Sequence, residues 1–400
     1  MASTTIHSEP DRAWIPTHSH DTVYSPKGPA TATTLPAGFP KSIVSPTAWT
    51  GTDFDNDQNQ ERYILVLNEG DVKELEQACR NFEGLNLPFE RVSQESFPLP
   101  TLGSKLKALA KGLVNGVGFL LIRGLDPKQF SNEANLVMYL GVSAYIGEKR
   151  GCQDELGNML LHLTDLSAEA GPDNERQAPY SNVAQPFHTD AADILGLQCL
   201  GEAEIGGECQ LASTATIYNE IVKTRPDIIH LLSASSWVFD RFGQSPPYMV
   251  RPILYPTGED RVILSFSRRP LVGNATSPRT PGIPDLSAAQ VEALNAVQFA
   301  AEEHALAKKL KTGDMLFWNN MAMLHARKGW TDSPNSRRHL VRLWLRNDDT
   351  EKRWPIPEEL QAGTAWNEAF DHAGRSQLWP VAPIRERAYI ANQQRSSGHA

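Results

Sequence analysis

Phe187-His188-Thr189-Asp190-Ala191-Ala192-Asp193-Ile194-Leu195-Gly196-Leu197-Gln198-Cys199 is the stretch on which the reading of this chain turns. It is apolar enough to read as one strand over 187–199. Side chains alternate between the two faces of a strand, so His188 and Asp190 share a face with Ala192 and Ile194. A carboxylate on such an apolar face is costly without a partner. Far along the chain, His325 ends a second strand-like run, Met315 to His325. That run follows Gly313-Asp314 and carries the polar pair Asn319-Asn320. Two histidines and one carboxylate can fill one triangular face of an octahedral ion and leave the other positions open, an arrangement typical of non-haem Fe(II). A zinc hydrolase can use the same His188, Asp190 and His325 while keeping a bound water.

A third run bears on that choice. In Arg338-His339-Leu340-Val341-Arg342-Leu343-Trp344-Leu345-Arg346, alternation places Arg338, Leu340, Arg342, Trp344 and Arg346 on one face. Val341, Leu343 and Leu345 take the other. Arg338 and Arg342 would stand about 13 Å apart along the strand. Each could clamp a separate carboxylate in the bidentate manner that lysine cannot match. Arg346 is expected to meet solvent or Asp348 and Asp349. A dicarboxylate chelated to iron at one end needs an arginine at the other; zinc hydrolysis needs none.

Composition narrows the class. The chain has 400 residues, 40% hydrophobic and 21% charged, as in an ordinary globular protein. Its net charge of −9 argues against nucleic acid or an anionic membrane surface as partner. No apolar run is long enough to span a bilayer. Met1 to His20 is polar and lacks a hydrophobic segment, so secretion is not expected. The four cysteines, Cys79, Cys152, Cys199 and Cys209, form no C-x-x-C pair. They read as reduced thiols of a cytoplasmic protein.

The order of elements suggests many short strands with helices outside them. Residues 1–60 are expected to be a mobile arm with an irregular lead-in, 61–385 one catalytic domain with core strands over about 118–346, and 386–400 a flexible tail. Helices are expected over Asp71 to Phe82, Leu102 to Leu113, from Asp126 to about Ile146, and over Ser213 to Arg225. Ser287 and Gln290 form a capping box opening another helix to about Lys311. Gly147 to Ser181 reads as a long loop with short strands. Met249 to Leu254 and Arg261 to Ser267 read as a hairpin. The fold class is therefore mainly β with flanking helices: a double-stranded β-helix, or cupin-like jelly roll.

With these motifs in place the chain resembles the Fe(II)/2-oxoglutarate oxygenases of the taurine dioxygenase and clavaminate synthase-like superfamily. The resemblance rests on His188-Thr189-Asp190, Gly206-Gly207-Glu208, Gly313-Asp314, Asn319-Asn320, His325, and Arg338 with Arg342, and runs from about Gly118 to Arg346. It implies Fe(II) on His188, Asp190 and His325, with 2-oxoglutarate and O2 as cosubstrates. It further implies oxidation of a C–H bond with release of succinate and CO2. Arg338 would bind the distal carboxylate of 2-oxoglutarate, and Arg342 an anionic group of a small carboxylate-bearing substrate. The family usually has Thr or Ser after the Gly-Gly-acid turn, where this chain has Cys209, a weak donor. Thr214 or Thr216 would then substitute, unless binding leans more on Arg338. Gln185, Tyr145 and Trp344 are the other expected substrate contacts.

Overall fold

The computed structural model describes residues 32–385, apart from 56, 155, 168–176, 259, 275–276, 362–364 and 373. The first half of the expected arm and the tail over 386–400 lie outside the described residues. In chain order the first strands are β1 (Ile64–Val66), β2 (Phe119–Arg123), β3 (Lys149–Gly151), β4 (Leu160–Thr164), β5 (Gln185–His188) and β6 (Ile194–Gly201). Next come β7 (Ile205–Gly206), β8 (Cys209–Ser213), β9 (Trp237–Asp240), β10 (Tyr248–Arg251), β11 (Leu254–Pro256) and β12 (Val262–Leu264). The last are β13 (Leu306–Lys308), β14 (Met315–Asn319), β15 (Met323–Arg327), β16 (Trp330–Thr331) and β17 (His339–Arg346).

Two sheets form the core. The larger runs β1-β2-β14-β6-β17-β3, with β4 also paired to β17, and the smaller runs β13-β8-β15-β5. The alternation read in β17 is realised. Leu340 and Trp344 enter a buried cluster between the sheets with Leu195, Leu197, Leu211 and Trp318. Val341, Leu343 and Leu345 face the opposite way and pack against helices α1 (Glu69–Gly84), α2 (Leu102–Asn115) and α3 (Asn132–Ser143). On the smaller sheet, Ala212, Leu324 and Ala326 point outward to the helices Thr214–Thr224 and Ala288–His304. Helix, sheet, sheet and helix thus stack in layers around an inner core, the double-stranded β-helix expected. Each large apolar side chain so buried contributes about 1.5–3 kcal/mol.

The structure corrects several boundaries. The expected strand over 187–199 is two strands in different sheets, β5 and β6, joined by a turn at 189–193. The run from Met315 to His325 divides likewise into β14 and β15 around 320–322. Asn320 laces the two turns together: its Nδ2 donates to Asp190 O and Ala192 O, both at 2.7 Å, and its Oδ1 accepts from Asp190 N at 3.2 Å. A continuous apolar run does not reveal where a chain changes sheets, because both halves are buried.

The capping box at Ser287 and Gln290 forms, but its helix ends at His304 because Leu306–Lys308 pairs with β8. Tyr248–Arg251 pairs with β9 rather than with 261–267, and the hairpin is β11 with β12. The helix after Asp126 covers only Asn132–Ser143, started by Ser131 Oγ accepting from Ala134 N at 3.1 Å. The lead-in is irregular yet anchored: Trp49 and Phe54 are buried in the inner cluster, and Trp49 Nε1 donates to Val117 O at 2.8 Å. β5 is an edge strand, and Phe187 N on that edge donates to Gln298 Oε1 at 3.2 Å. Among the described residues no helix is long and apolar enough to cross a membrane.

Candidate active site

Pairing between β5 and β15 sets His325 opposite His188, and pairing between β15 and β8 sets it opposite Leu211. The two imidazole rings lie 4.1 Å apart between centroids. His188 Nδ1 is 2.9 Å from Pro186 O. A carbonyl only accepts, so Nδ1 carries the proton and Nε2 offers its lone pair. His188 Nε2 is 3.8 Å from Asp190 Oδ1, and His325 Nε2 is 3.9 Å from Asp190 Oδ2. One donor atom from each of the three residues falls within 4.8 Å of the others. Cis donors on an octahedral ion with bonds of about 2.1 Å sit about 3 Å apart. A metal would need these groups to close by about 1 to 2 Å.

Asp190 is fully buried and firmly held. Arg342 Nη1 lies 2.8 Å from its Oδ2, and Trp344 Nε1 donates to the same oxygen at 3.1 Å. Arg342 also donates through Nε to Gln153 Oε1 at 2.8 Å. Trp344, expected at the substrate, therefore lies beneath the carboxylate and does not line the cavity. Arg342 does line it, with its donors directed at Asp190 and Gln153.

Two residues along the same strands is a rung of different character, about 7 Å away by strand rise. Here Arg327 pairs with Cys209 across one side and Gln185 across the other. Arg338 enters this rung over Gly206 and Gly207, whose φ of 76° and 75° suit glycine. A Cβ on Gly207 would lie 2.8 Å from Arg338 Cδ. Arg338 Nε donates to Gly207 O at 3.2 Å, and Nη2 is 3.9 Å from Cys209 Sγ. Nη1 is buried and, among the described residues, has no hydrogen-bond partner.

Arg327, which the sequence reading passed over, is its neighbour. Nη2 donates to Ser181 O at 2.9 Å, Val183 O at 2.6 Å and Ala178 O at 3.3 Å. Its buried Nε and Nη1 have no partner among the described residues. The guanidinium carbons of Arg327 and Arg338 lie 4.4 and 4.7 Å from the Trp330 ring. Burial first, and Arg338 second, push the pKa of Arg327 well below its ordinary value, while Cys209 and Asp165 oppose this. An arginine stays protonated regardless, so the rung holds two buried cations in need of an anion. Burial raises the pKa of the Cys209 thiol, against the pull of both arginines, and keeps it neutral. The strand spacing of His325 and Arg327 was the available signal for this residue.

Both rungs open onto one cavity of about 500 Å³. Of the residues expected at substrate or cosubstrate, Gln185 and Cys209 line it; Tyr145, Thr214 and Thr216 do not. Tyr145 sits in the helical layer, donating to Phe97 O at 3.2 Å and accepting from Leu99 N at 2.7 Å. Thr216 Oγ1 donates to Trp49 O at 2.6 Å, and Thr214 is buried at the start of its helix. Neither residue lines the cavity beside Cys209. Phe242, Arg269 and the segment around Pro278 to Pro281 also line the cavity. The guanidinium of Arg269 lies 4.5 Å from the Phe242 ring. Burial pushes its pKa down to about 10, against a weaker pull from Asp240. Arg346, expected near solvent, is buried on Asp193 at 3.1 Å.

A family model described as taurine catabolism dioxygenase TauD, TfdA family, matches residues 81–344. The chain belongs to that family. It is 36% identical over 346 residues to the "Taurine hydroxylase-like protein SAT17" of Stachybotrys chartarum, covering 84% of this chain and 88% of the relative. It is 24% identical over 322 residues to "FR-33289 synthase" of Streptomyces rubellomurinus, covering 79% of this chain and 93% of that protein. The fold is shared with an asparagine oxygenase solved with Fe(II), 3-hydroxyasparagine and succinate (TM-score 0.53, 18% identity, 71% of this chain and 93% of that one). It is shared too with the non-haem iron oxygenase OrfP (TM-score 0.52, 14% identity, 73% and 99%). As a TauD/TfdA member the protein is an enzyme, a dioxygenase that uses Fe(II), 2-oxoglutarate and O2. The unpartnered Arg338 Nη1 and the His188, Asp190 and His325 donors fit that cofactor and cosubstrate.

Proposed function

We propose that His188, Asp190 and His325 hold Fe(II), that Arg338 receives the distal carboxylate of 2-oxoglutarate, and that the enzyme oxidises a C–H bond of a small carboxylate-bearing molecule. An amino acid or organic acid is the substrate class. The observation that carries this reading is the pairing of a three-donor metal rung with a buried, unsatisfied arginine one rung away. Zinc hydrolysis with the same ligands leaves that arginine without a purpose. When bound, the metal and cosubstrate supply the oxidant that takes a hydrogen atom from the substrate, with succinate and CO2 as by-products.

The chain's own residues position and protect. Asn320 fixes the turn that presents Asp190, and Arg342 with Trp344 holds its carboxylate in place. Pro186 O fixes the tautomer of His188. Leu197, Leu211 and Trp318 line the cavity and limit water around the reacting centre. With Arg342 turned toward Asp190, Arg269 is the cation lining the cavity that meets the substrate's charged end. A cavity of this size suits a small ligand. The asparagine oxygenase solved with 3-hydroxyasparagine supports an amino-acid class and favours hydroxylation over ring closure or desaturation.

We also infer that residues 61–385 act as one oxygenase domain. The four cysteines are free and buried, which supports a reducing, cytoplasmic setting. The test is succinate release that requires Fe(II), 2-oxoglutarate and O2, screened over amino acids and organic acids. Stimulation is expected from a compound with a free carboxylate and should vanish for its amide. Stimulation by neutral compounds alone would overturn the substrate class.

A further inference from the structure

We propose that Arg327 is a second cosubstrate-binding arginine, and that with Arg338 it forms a two-guanidinium clamp on the distal carboxylate of 2-oxoglutarate. The inference rests on the cosubstrate reading above and extends it to a residue two places beyond a metal ligand. Three observations carry it. Arg327 and His325 lie on one strand in register with Cys209 and Leu211, so the arginine stands one rung, about 7 Å, from the metal rung. A five-carbon dicarboxylate chelated at one end spans about that distance. Second, Arg327 Nε and Nη1 and Arg338 Nη1 are buried donors that find no partner among the described residues, and both arginines line the cavity. Third, Cys209 occupies the opposite position in the pair and is a weak donor, so it cannot supply a strong hydrogen bond to the carboxylate.

A precedent lies inside the same molecule. Asp193 is held by Arg346 Nε at 3.1 Å, Arg353 Nε at 3.1 Å and Trp366 Nε1 at 2.9 Å. Two arginines and a tryptophan surround one carboxylate there. Arg327, Arg338 and Trp330 repeat those residue types, with both guanidinium groups against the Trp330 ring, and no carboxylate among the described residues forms an ion pair with either guanidinium. The clamp awaits a carboxylate that the ligand brings.

Arg327 also latches the segment 178–183 through its Nη2, so a purely structural role must be separable from binding. The experiment is anaerobic titration of Fe(II)-loaded protein, read by the weak visible charge-transfer band of the chelate. The probes are 2-oxoglutarate and 2-oxopentanoate, which shares the chelating head and lacks the distal carboxylate. Arg327→Gln is expected to weaken 2-oxoglutarate binding about 10- to 100-fold and leave 2-oxopentanoate within about twofold. Adding Cys209→Thr should recover part of the loss. Equal weakening of both probes, or unchanged 2-oxoglutarate binding, overturns the proposal. Should Arg327→Gln fail to fold, Arg327→Lys serves, with the same selective loss expected and the same two outcomes against it. Wild-type protein that binds Fe(II) but gives no band with 2-oxoglutarate would overturn the cosubstrate reading itself, a different result from failure of the clamp.

Discussion

The two ends of β17 carry the same ingredients in opposite states. At one end, Arg346 and Arg353 converge on Asp193 with help from Trp366, so that both cations meet a carboxylate of the chain. At the other, Arg338 and Arg327 both lie against the Trp330 ring, and three of their buried guanidinium nitrogens find no partner among the described residues. Residue types are alike, although Arg353 is only half-buried; the presence of an internal carboxylate is what differs. Buried cations paired within the chain are part of the scaffold, whereas buried cations left without an anion mark a binding site.

The sharpest way to break this comparison is at the closed end. Asp193→Asn would leave two arginines without their counter-charge and should cost about 3–5 kcal/mol of stability, read from denaturant midpoints. A loss under about 1 kcal/mol would mean that Asp193 is not what satisfies that end. At the open end the effect should move from stability to binding. Arg338→Met should weaken 2-oxoglutarate binding about 100-fold, as expected for a charge-assisted bidentate contact, while the ligand-free protein melts no lower than wild type. A lower melting temperature without ligand would show that Arg338 is scaffold after all.

Between the ends, Trp344→Phe removes one hydrogen bond to Asp190 and keeps an aromatic ring. Affinity for Fe(II) should fall about 10-fold by chelator competition, with substrate KM unchanged. A changed KM with normal metal affinity would return Trp344 to the substrate pocket.

The smallest effect belongs to His339, the neighbour of Arg338. Its Nε2 lies 2.7 Å from His162 Nδ1, and His162 Nε2 is 2.9 Å from Pro380 O. Burial first, then His162 and Arg337, push the His339 pKa down to about 3. Its folded pKa is thus below its unfolded value near 6.5. The stability it contributes is present above that pH and is lost as pH falls toward 3, at up to about 1.4 kcal/mol per pH unit. Unfolding free energies should drop by about 1 kcal/mol between about pH 6.5 and 5.5, and His339→Gln should flatten part of that slope. An unchanged slope in the variant would assign the acid sensitivity elsewhere.

His188, Asp190 and His325 stood out in the sequence because a carboxylate among alanines and leucines is conspicuous, although Asp190 lies in the turn after β5 and not on the strand face that period-two spacing suggested. The two faces of β17 were legible for the same reason. What escaped the sequence depends on long-range packing. The corner turns at 189–193 and 320–322 hide inside apolar runs, and only the Asn320 bonds reveal that they meet. Arg346 reads as a surface charge until Asp193 is placed beside it. Tyr145, Thr214 and Thr216 have suitable chemistry but lie on the wrong side of a sheet or helix. Arg327 hides because H-x-R looks like a charged strand end, and its isolation from anions is visible only once its surroundings are folded.

β5 has consequences beyond the site it serves. It is four residues long, pairs with β15 alone, and ends at a prospective ligand with another, Asp190, inside the turn that follows. Iron bridging His188 and His325 would act as a rivet across that seam, doing for the strand what a second neighbour does elsewhere. Chelated protein should therefore peel open here first, baring β15 as a sticky edge, so that iron starvation would limit the enzyme's lifetime as well as its turnover.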